Sequence, residues 1–191
     1  MPDKYASFAE LKASEPEGSY HIEVRSTGTE VALIAPHAGK IEPGTSEICR
    51  SVASGDFTYY LFEGCKSSNN RDLHITSSRF DEPQGIDIAQ SAQVVVTFHG
   101  QSGEDHFINV GGLADQLCRS MIDALNAAGF VASRQSNPML QGRDANNICN
   151  RGSSGQGIQL EISRALRDAL IKDIHAITRF SSAIRSVLDG L

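Results

Sequence analysis

Short apolar segments alternate with segments of helical periodicity along most of the chain. The apolar segments are rich in branched or aromatic side chains and end at proline, glycine or a polar loop, which is typical of strands in a buried sheet. The predicted strands are VALIAP (31–36), FTYYLFEG (57–64), DLHITS (72–77), QVVVTFHG (93–100), HFINVGG (106–112), 130–134 and GIQLEIS (157–163). Residues 135–155 form a long polar loop, and loops of that length usually have a function.

Helices are predicted between these strands. Ser46 begins one that Gly55 ends, and a second covers 80–92. In 113–128, apolar residues recur at spacings of three and four, and 164–189 has a similar periodicity. The alternation predicts a single three-layer α/β domain with a central mixed, mostly parallel sheet flanked by helices, and ligands bound at the carboxyl ends of the strands. Residues 1–20 are predicted to be a loosely held N-terminal arm, and 21–191 the domain.

Composition and charge exclude several classes. A chain of 191 residues with 40% hydrophobic residues is long enough to fold without a disulfide or a metal, so any metal would be functional. The four cysteines contain no C-x-x-C pair, which favours reduced thiols. The net charge of −6 and the lack of a basic run argue against nucleic acid. No apolar segment approaches a signal peptide or a membrane span, so we expect synthesis in the cytoplasm and no membrane partner.

Two histidines stand at the ends of buried strands. His37 follows VALIAP directly, and His99 lies at the end of QVVVTF, so both should emerge at one edge of the sheet. Glu42 lies five residues beyond His37, in a loop that glycines allow to fold back. Two histidines and one glutamate, with a fourth position open for water, are the ligand set of a catalytic zinc.

The spacing alone leaves an alternative open, because a histidine after a strand is more often a polar residue with a structural hydrogen bond than a ligand. His74 is the competing ligand, but it is predicted in mid-strand, where a core histidine bonded to a neighbour is the better interpretation.

Glu161 is embedded among apolar residues of a predicted strand, so its carboxylate needs a partner or a function. If it emerges at the crevice, it can act as the general base of a hydrolysis. The alternative is an ion pair with Arg164 or Arg151.

The long loop is locally basic. It contains or adjoins Arg134, Arg143 and Arg151, with Asp144 as the counter-charge within it. Because the guanidinium group binds carboxylates in a planar, two-pronged geometry, the loop suggests a clamp for an anionic substrate. A solvated loop without a ligand is the alternative.

Several segments together resemble the bacteriophage poly-γ-glutamate hydrolase family, which is related in fold to the zinc carboxypeptidases. The resemblance spans about residues 20 to 170. The matching segments are IAPHAGKIEPGTSEI, LFEG, LHITSSRFDEP, VVVTFHG and NICNRGSSGQGIQLEIS. Carboxypeptidases proper bind zinc through H-x-x-E, whereas this chain has two more residues between His37 and Glu42, a spacing it shares with the phage family.

The resemblance implies one zinc ion per chain, held by His37, Glu42 and His99, with Glu161 as the general base. The Asn150–Arg151 pair is similar to the pair with which carboxypeptidases hold a substrate carboxylate. On this interpretation Arg151 is catalytic and stabilises the oxyanion, while Asn150 and, from the basic loop, Arg143 bind the substrate.

The implied function is zinc-dependent cleavage of the γ-glutamyl isopeptide bonds of poly-γ-glutamate by a monomer. In the family's setting this removes the polyglutamate capsule of a Gram-positive host, after release by cell lysis. One alternative is a zinc amidohydrolase or peptidase that acts on a small γ-glutamyl or cell-wall substrate. Another is an inactive prophage-derived or replication-associated binding protein.

Overall fold

A seven-stranded mixed sheet runs through the middle of the molecule in a computed structural model, which describes residues 3–191. The strands are β1 (Tyr20–Arg25), β2 (Val31–Gly39), β3 (Thr58–Gly64), β4 (Val94–Gln101), β5 (Ile108–Gly111), β6 (Ala132–Arg134) and β7 (Ile158–Ser163). Their order in the sheet is β1-β3-β2-β4-β7-β5-β6.

Six α-helices surround the sheet in the described part of the chain. They are α1 (Phe8–Ser14), α2 (Thr45–Ala53), α3 (Pro83–Ser91), α4 (Asp115–Ala127), α5 (Arg164–Leu170) and α6 (Ile174–Leu188). Three short 3-10 helices occur at Asn70–Leu73, Pro138–Leu140 and Ile148–Asn150. Within residues 3–191, no helix has the length and apolarity needed to cross a bilayer.

The central strands β3, β2, β4 and β7 are mutually parallel. Strand β1 pairs antiparallel with β3 at one side, and β5 pairs antiparallel with β7 at the other, where β6 then runs parallel to β5. The predicted α/β fold with a mixed, mostly parallel sheet is therefore confirmed. Since β2, β4 and β7 are parallel, their carboxyl ends meet at one edge of the sheet.

The two faces of the sheet pack against different layers. Alternate residues of the buried strands point to opposite sides, as the pleat requires: Leu33 packs with residues of α2, α4 and α6, whereas Ile34 packs with residues of α1 and α3. We call these the α2/α4/α6 layer and the α1/α3 layer. Because both faces are covered, the central strands appear in the sequence as nearly continuous apolar runs.

Two local predictions were wrong. Residues 72–77 do not form a strand, because the Asn70 side chain accepts from the Lys66 N–H and donates to the Lys66 carbonyl, which closes a turn and competes with strand pairing. The predicted helix 164–189 is two helices, since Asp173 caps the start of α6 by accepting from the N–H groups of His175 and Ala176. In addition, we missed β1, whose half-exposed residues lack an apolar pattern.

The segment predicted as a loosely held arm is packed in its described part. Phe8 and Leu11 of α1 are buried in the core of the α1/α3 layer. The Asp3 carboxylate pairs with Arg79 and accepts a hydrogen bond from the Thr76 N–H. These contacts hold the segment against the sheet, and the division of the chain at residue 20 stays a prediction.

Candidate metal centre and active site

A β-bulge turns His37 towards the α1/α3 layer. Regular alternation would place His37 on the same side as Leu33 and Ala35, but the register with β3 shifts between Ala35 and Ala38. One extra residue in β2 thus reverses the direction of His37, next to Pro36, which has no N–H to donate to the ladder. His37 consequently faces the same layer as His99 of β4.

The predicted ligand atoms converge. His37 Nδ1 and His99 Nδ1 lie 3.2 Å apart. Glu42 Oε1 is 3.5 Å from His37 Nδ1, and Glu42 Oε2 is 3.8 Å from His99 Nδ1. The Gly100 N–H donates to Glu42 Oε2 at 2.8 Å, so the loop after β2 is tied to β4. The three side chains form a candidate metal site.

This donor set fits a tetrahedral zinc ion. Two nitrogens at the usual distance from such an ion lie about 3.3 Å apart, close to the distance between the two Nδ1 atoms. His37 Nε2 lies 2.7 Å from the Ile75 carbonyl, which requires the proton on Nε2 and leaves a lone pair on Nδ1. His99 and His37 are both nearly inaccessible to solvent.

The charges at the site also suit a cation. Burial opposes ionisation of Glu42, but His37, His99 and the Gly100 N–H outweigh it and lower the pKa of Glu42 to about 2. Burial, reinforced by the proximity of His37, lowers the pKa of His99 to about 3. At neutral pH the site therefore holds a carboxylate and a neutral His99 ring, which are the states that ligate metals.

His74 supports the site rather than joining it. Its ring stacks on that of His37 with 3.8 Å between centroids. Its Nδ1 lies 2.6 Å from an oxygen of Asp3, whose carboxylate also pairs with Arg79. The expected hydrogen bond to a neighbour is present, but His74 is half-buried rather than in the core, and it does not lie in a strand.

Glu161 lies beside the candidate metal site, since it is the register partner of His99 on the adjacent strand β7. Gln159 Nε2 donates to Glu161 Oε1 at 3.0 Å. Burial, together with the negative charge of Glu42, raises the pKa of Glu161 to about 8. Neither arginine considered as its ion-pair partner contacts it: Arg164 pairs with Asp168, and Arg151 donates from Nε to the Asn146 carbonyl.

Arg167, a buried arginine of α5, was not predicted as part of the site. Its guanidinium donates to the carbonyls of Ile162, Pro43 and Gln101. It also packs so closely against Gly100 that a Cβ there would lie 2.5 Å from Arg167 Cζ. Arg167 thereby ties β4 and β7 to the loop that presents Glu42. No sequence pattern marks it, because its partners are backbone atoms from three segments.

The basic loop is less basic than its sequence suggests. Arg134 and Arg143 both donate to Asp115 Oδ1, at 2.5 and 3.0 Å. The expectation that Asp144 supplies the counter-charge is therefore incomplete, because Asp115 at the start of α4 comes close only in the folded chain. Arg151 has no carboxylate within ion-pair distance among residues 3–191.

Backbone groups occupy the hydrogen-bonding positions of the Asn150 side-chain amide. Its Oδ1 accepts from the N–H groups of Leu113 and Gly157, and its Nδ2 donates to the carbonyls of Gly142 and Asp144. The predicted contact with substrate would need a free donor or acceptor, and this geometry leaves none. Asn150 instead holds the long loop against β7.

We expect Asn150→Ala to destabilise the protein by about 2 to 4 kcal/mol, because several buried backbone groups lose their partner at about 1 to 3 kcal/mol each. Urea unfolding of the variant measures this loss. Asn146→Ala is a matched control, since Asn146 is exposed in the same loop. Unchanged stability together with a raised KM would contradict the structural role and restore substrate binding.

Known proteins resemble this chain over nearly its whole length, so the resemblance includes both the fold and the candidate site. A model of the poly-gamma-glutamate hydrolase family matches residues 5–187. The chain belongs to this family. It is a family of hydrolases, so the convergent histidines and glutamates described above lie in an enzyme fold, and the predicted resemblance is confirmed.

Individual relatives agree with this assignment. A bacteriophage poly-gamma-glutamate hydrolase superposes with a TM-score of 0.93 at 32% identity, covering 99% of this chain and 98% of that one. A zinc-free apo form of YndL gives 0.91 at 34% identity, with 98% of both chains covered. The UPF0714 protein YmaC of Bacillus subtilis (strain 168) is 38% identical over 99% of this chain and 85% of its own.

Proposed function

We propose that this hydrolase cleaves the γ-glutamyl amide bonds of poly-γ-glutamate and that it requires one zinc ion, held by His37, Glu42 and His99. The observation that supports zinc most directly is the convergence of two imidazole nitrogens and a carboxylate within 3.2 to 3.8 Å, at an edge of the sheet where Glu161 is the neighbour of His99. A related structure, that of YndL, is described as zinc-free, which fits a family site that can hold this ion.

A zinc ion bound there would polarise the scissile carbonyl and make water a better nucleophile near neutral pH. Glu161 then takes a proton from the attacking water and delivers it to the nitrogen that leaves. Gln159 orients the Glu161 carboxylate, because it donates to Oε1 while its own Oε1 accepts from Asn147. His37 is in turn fixed by the Ile75 carbonyl and the stacked ring of His74, and Glu42 is fixed by the Gly100 N–H.

Arg151 is the arginine that we assign to the oxyanion or to a substrate carboxylate. Its guanidinium lies near Ser78, while the neighbouring Ser77 hydroxyl is 3.5 Å from His99 Nε2, so the two segments border the metal site. Arg143 remains a proposed substrate contact, but only at the rim, because Asp115 shares its charge. We assign no substrate contact to Asn150.

The polymer suits a site with free cationic charge because poly-γ-glutamate exposes one α-carboxylate per residue. The net charge of −6 opposes a polyanion at long range, so binding depends on local donors such as Arg151. We further propose that the enzyme works as a monomer, without nucleic acid or a membrane as a partner.

The test combines metal analysis with cleavage. We expect about one zinc per purified chain by plasma mass spectrometry, and shortening of poly-γ-glutamate on a gel that a chelator abolishes and added zinc restores. Poly-α-glutamate, which has the same charge but ordinary peptide bonds, should stay intact. Zinc without shortening would move the substrate to a small γ-glutamyl amide, and absence of zinc would refute the metal mechanism.

A further inference from the structure

Gln101 is a polar residue at the carboxyl end of β4 that no step above uses. It lies two residues beyond His99 on the same face of the strand, at about 7 Å along the chain. Its register partner on β7 is Ser163, a small residue whose hydroxyl accepts from the N–H groups of Phe107 and Leu166. The Gln101 side chain is half-buried, and it contacts Asn109 of β5, which is the register partner of Glu161.

Two other amides fix the orientation of the Gln101 amide. Gln101 Oε1 accepts from Asn109 Nδ2 at 3.1 Å and from Gln135 Nε2 at 3.3 Å. Asn109 Oδ1 accepts from the Ser133 hydroxyl, and Gln135 Oε1 accepts from the Asn137 N–H. Because both neighbouring amides donate to Gln101, its Oε1 is occupied as an acceptor. Nε2 is therefore the end of the amide that remains free to donate.

The free end borders the reaction site. Asn109 is the register partner of Glu161, so the amide that Asn109 holds reaches across β7 beside the general base. Among residues 3–191, no hydrogen-bond acceptor is found for Gln101 Nε2, and this atom is not among the buried unpaired ones. Its two N–H donors therefore have no acceptor among these residues and are not fully buried, and the amide is held by the register partner of Glu161.

The donors are neutral, which matters beside two carboxylates. An arginine or lysine at this place would pair with Glu161 or Glu42 and compete with the metal and the base for their charge. An amide donates to an incoming carboxylate without this competition, and a hydrogen bond to a charged group is about twice as strong as one between neutral groups. The arrangement thus suits an anionic group next to the bond that is cleaved.

We propose that Gln101 is a substrate-binding residue whose Nε2 donates to the α-carboxylate of the γ-glutamyl residue beside the scissile bond. Asn109 and Gln135 are positioning residues that hold its amide in place. The identity of the carboxylate rests on the proposed function, whereas the free donor beside Glu161 rests on the geometry.

The test is Gln101→Leu, measured as the zinc-loaded protein with poly-γ-glutamate. We expect KM to rise about tenfold or more while kcat changes by less than about threefold, because the lost hydrogen bond is to a charged group. Gln101→Glu should raise KM further, and added salt should reduce that extra effect, since the new carboxylate repels the polymer. Zinc content should stay at one per chain in both variants.

Gln116→Glu provides the matched control. Gln116 is exposed on α4, in the layer on the opposite face of the sheet, so it adds the same charge without touching the site. Its KM should match the wild type. Equal KM rises in Gln116→Glu and Gln101→Glu would show a net-charge effect and overturn the assignment to Gln101.

Asn109→Ala tests the positioning residues. It should raise KM by less than Gln101→Leu, and the double variant should be no worse than Gln101→Leu alone, because both changes remove one interaction. Additive effects would contradict positioning through Gln101.

Calorimetry with a γ-linked tetraglutamate separates the two proposals. A wild type that binds and cleaves, with a Gln101→Leu variant of equal KM and Kd, overturns only the role of Gln101. A wild type that neither binds γ-glutamyl chains nor cleaves them overturns the proposed function and this inference together.

Discussion

Replacing His99 with alanine should abolish hydrolysis and lower zinc affinity by more than about a hundredfold, since even changes to residues behind metal ligands cost ten- to a hundredfold. His99 Nδ1 lies 3.2 Å from the corresponding atom of His37, so its loss leaves one imidazole and one carboxylate at the site. Two protein ligands are fewer than the three of catalytic zinc sites.

Metal content by plasma mass spectrometry and zinc competition with a chromogenic chelator measure the effect. His175→Ala is the matched control, because His175 is exposed on α6. The control should keep zinc and activity. Full zinc content in His99→Ala would contradict the assigned ligand set, and full activity would refute the role of the site in catalysis.

Glu161→Gln should separate chemistry from metal binding. Glutamine keeps the shape of the side chain and can still accept from Gln159 through its oxygen, but it cannot take a proton from water. A general base contributes about 10² to 10⁴ in rate, so kcat should fall by that factor while zinc stays at one per chain. Glu47→Gln, on the exposed surface of α2, should leave kcat unchanged.

The pH profile provides a second readout of Glu161. Burial, together with the charge of Glu42, raises the pKa of this carboxyl to about 8 in the protein without metal. A bound cation favours the carboxylate and shifts the titration to lower pH. Because only the carboxylate is a base, wild-type activity should fall as pH decreases through that pKa, which gives the pH profile an acid limb. The residual activity of Glu161→Gln should lack this acid limb. If the acid limb were unchanged in Glu161→Gln, it would reflect the titration of another group.

The fold and the candidate metal site were predictable because burial imposes a strong pattern of apolar residues on the sequence. Strands covered on both faces, such as β2 and β4, need continuous apolar residues, and a histidine at the end of such a run stands out. Glu161 was detectable for the same reason, since a carboxylate among apolar neighbours is costly without a function or a partner.

Other features left no such signal. The partners of Arg167 are backbone carbonyls, which any residue could provide, and Asp115 meets Arg134 and Arg143 from a different segment. The structural use of Asn150 depends on four backbone groups that the loop brings together. Such contacts depend on loop conformation, which hydrophobic periodicity does not encode.

The sequence by itself determined the α/β architecture, the edge of the sheet at which the candidate metal ligands converge, and the residue types that meet there. Only the tertiary structure decided the direction of His37, because a single bulge in β2 reverses the side to which it points. The tertiary structure also showed that Arg134 and Arg143 share Asp115, that Arg151 pairs with no carboxylate among residues 3–191, and how two amides orient Gln101. Alternation of burial is a local property of the chain and can be read along it, whereas a bulge, an ion pair or an amide network depends on groups that only folding brings within a few ångströms.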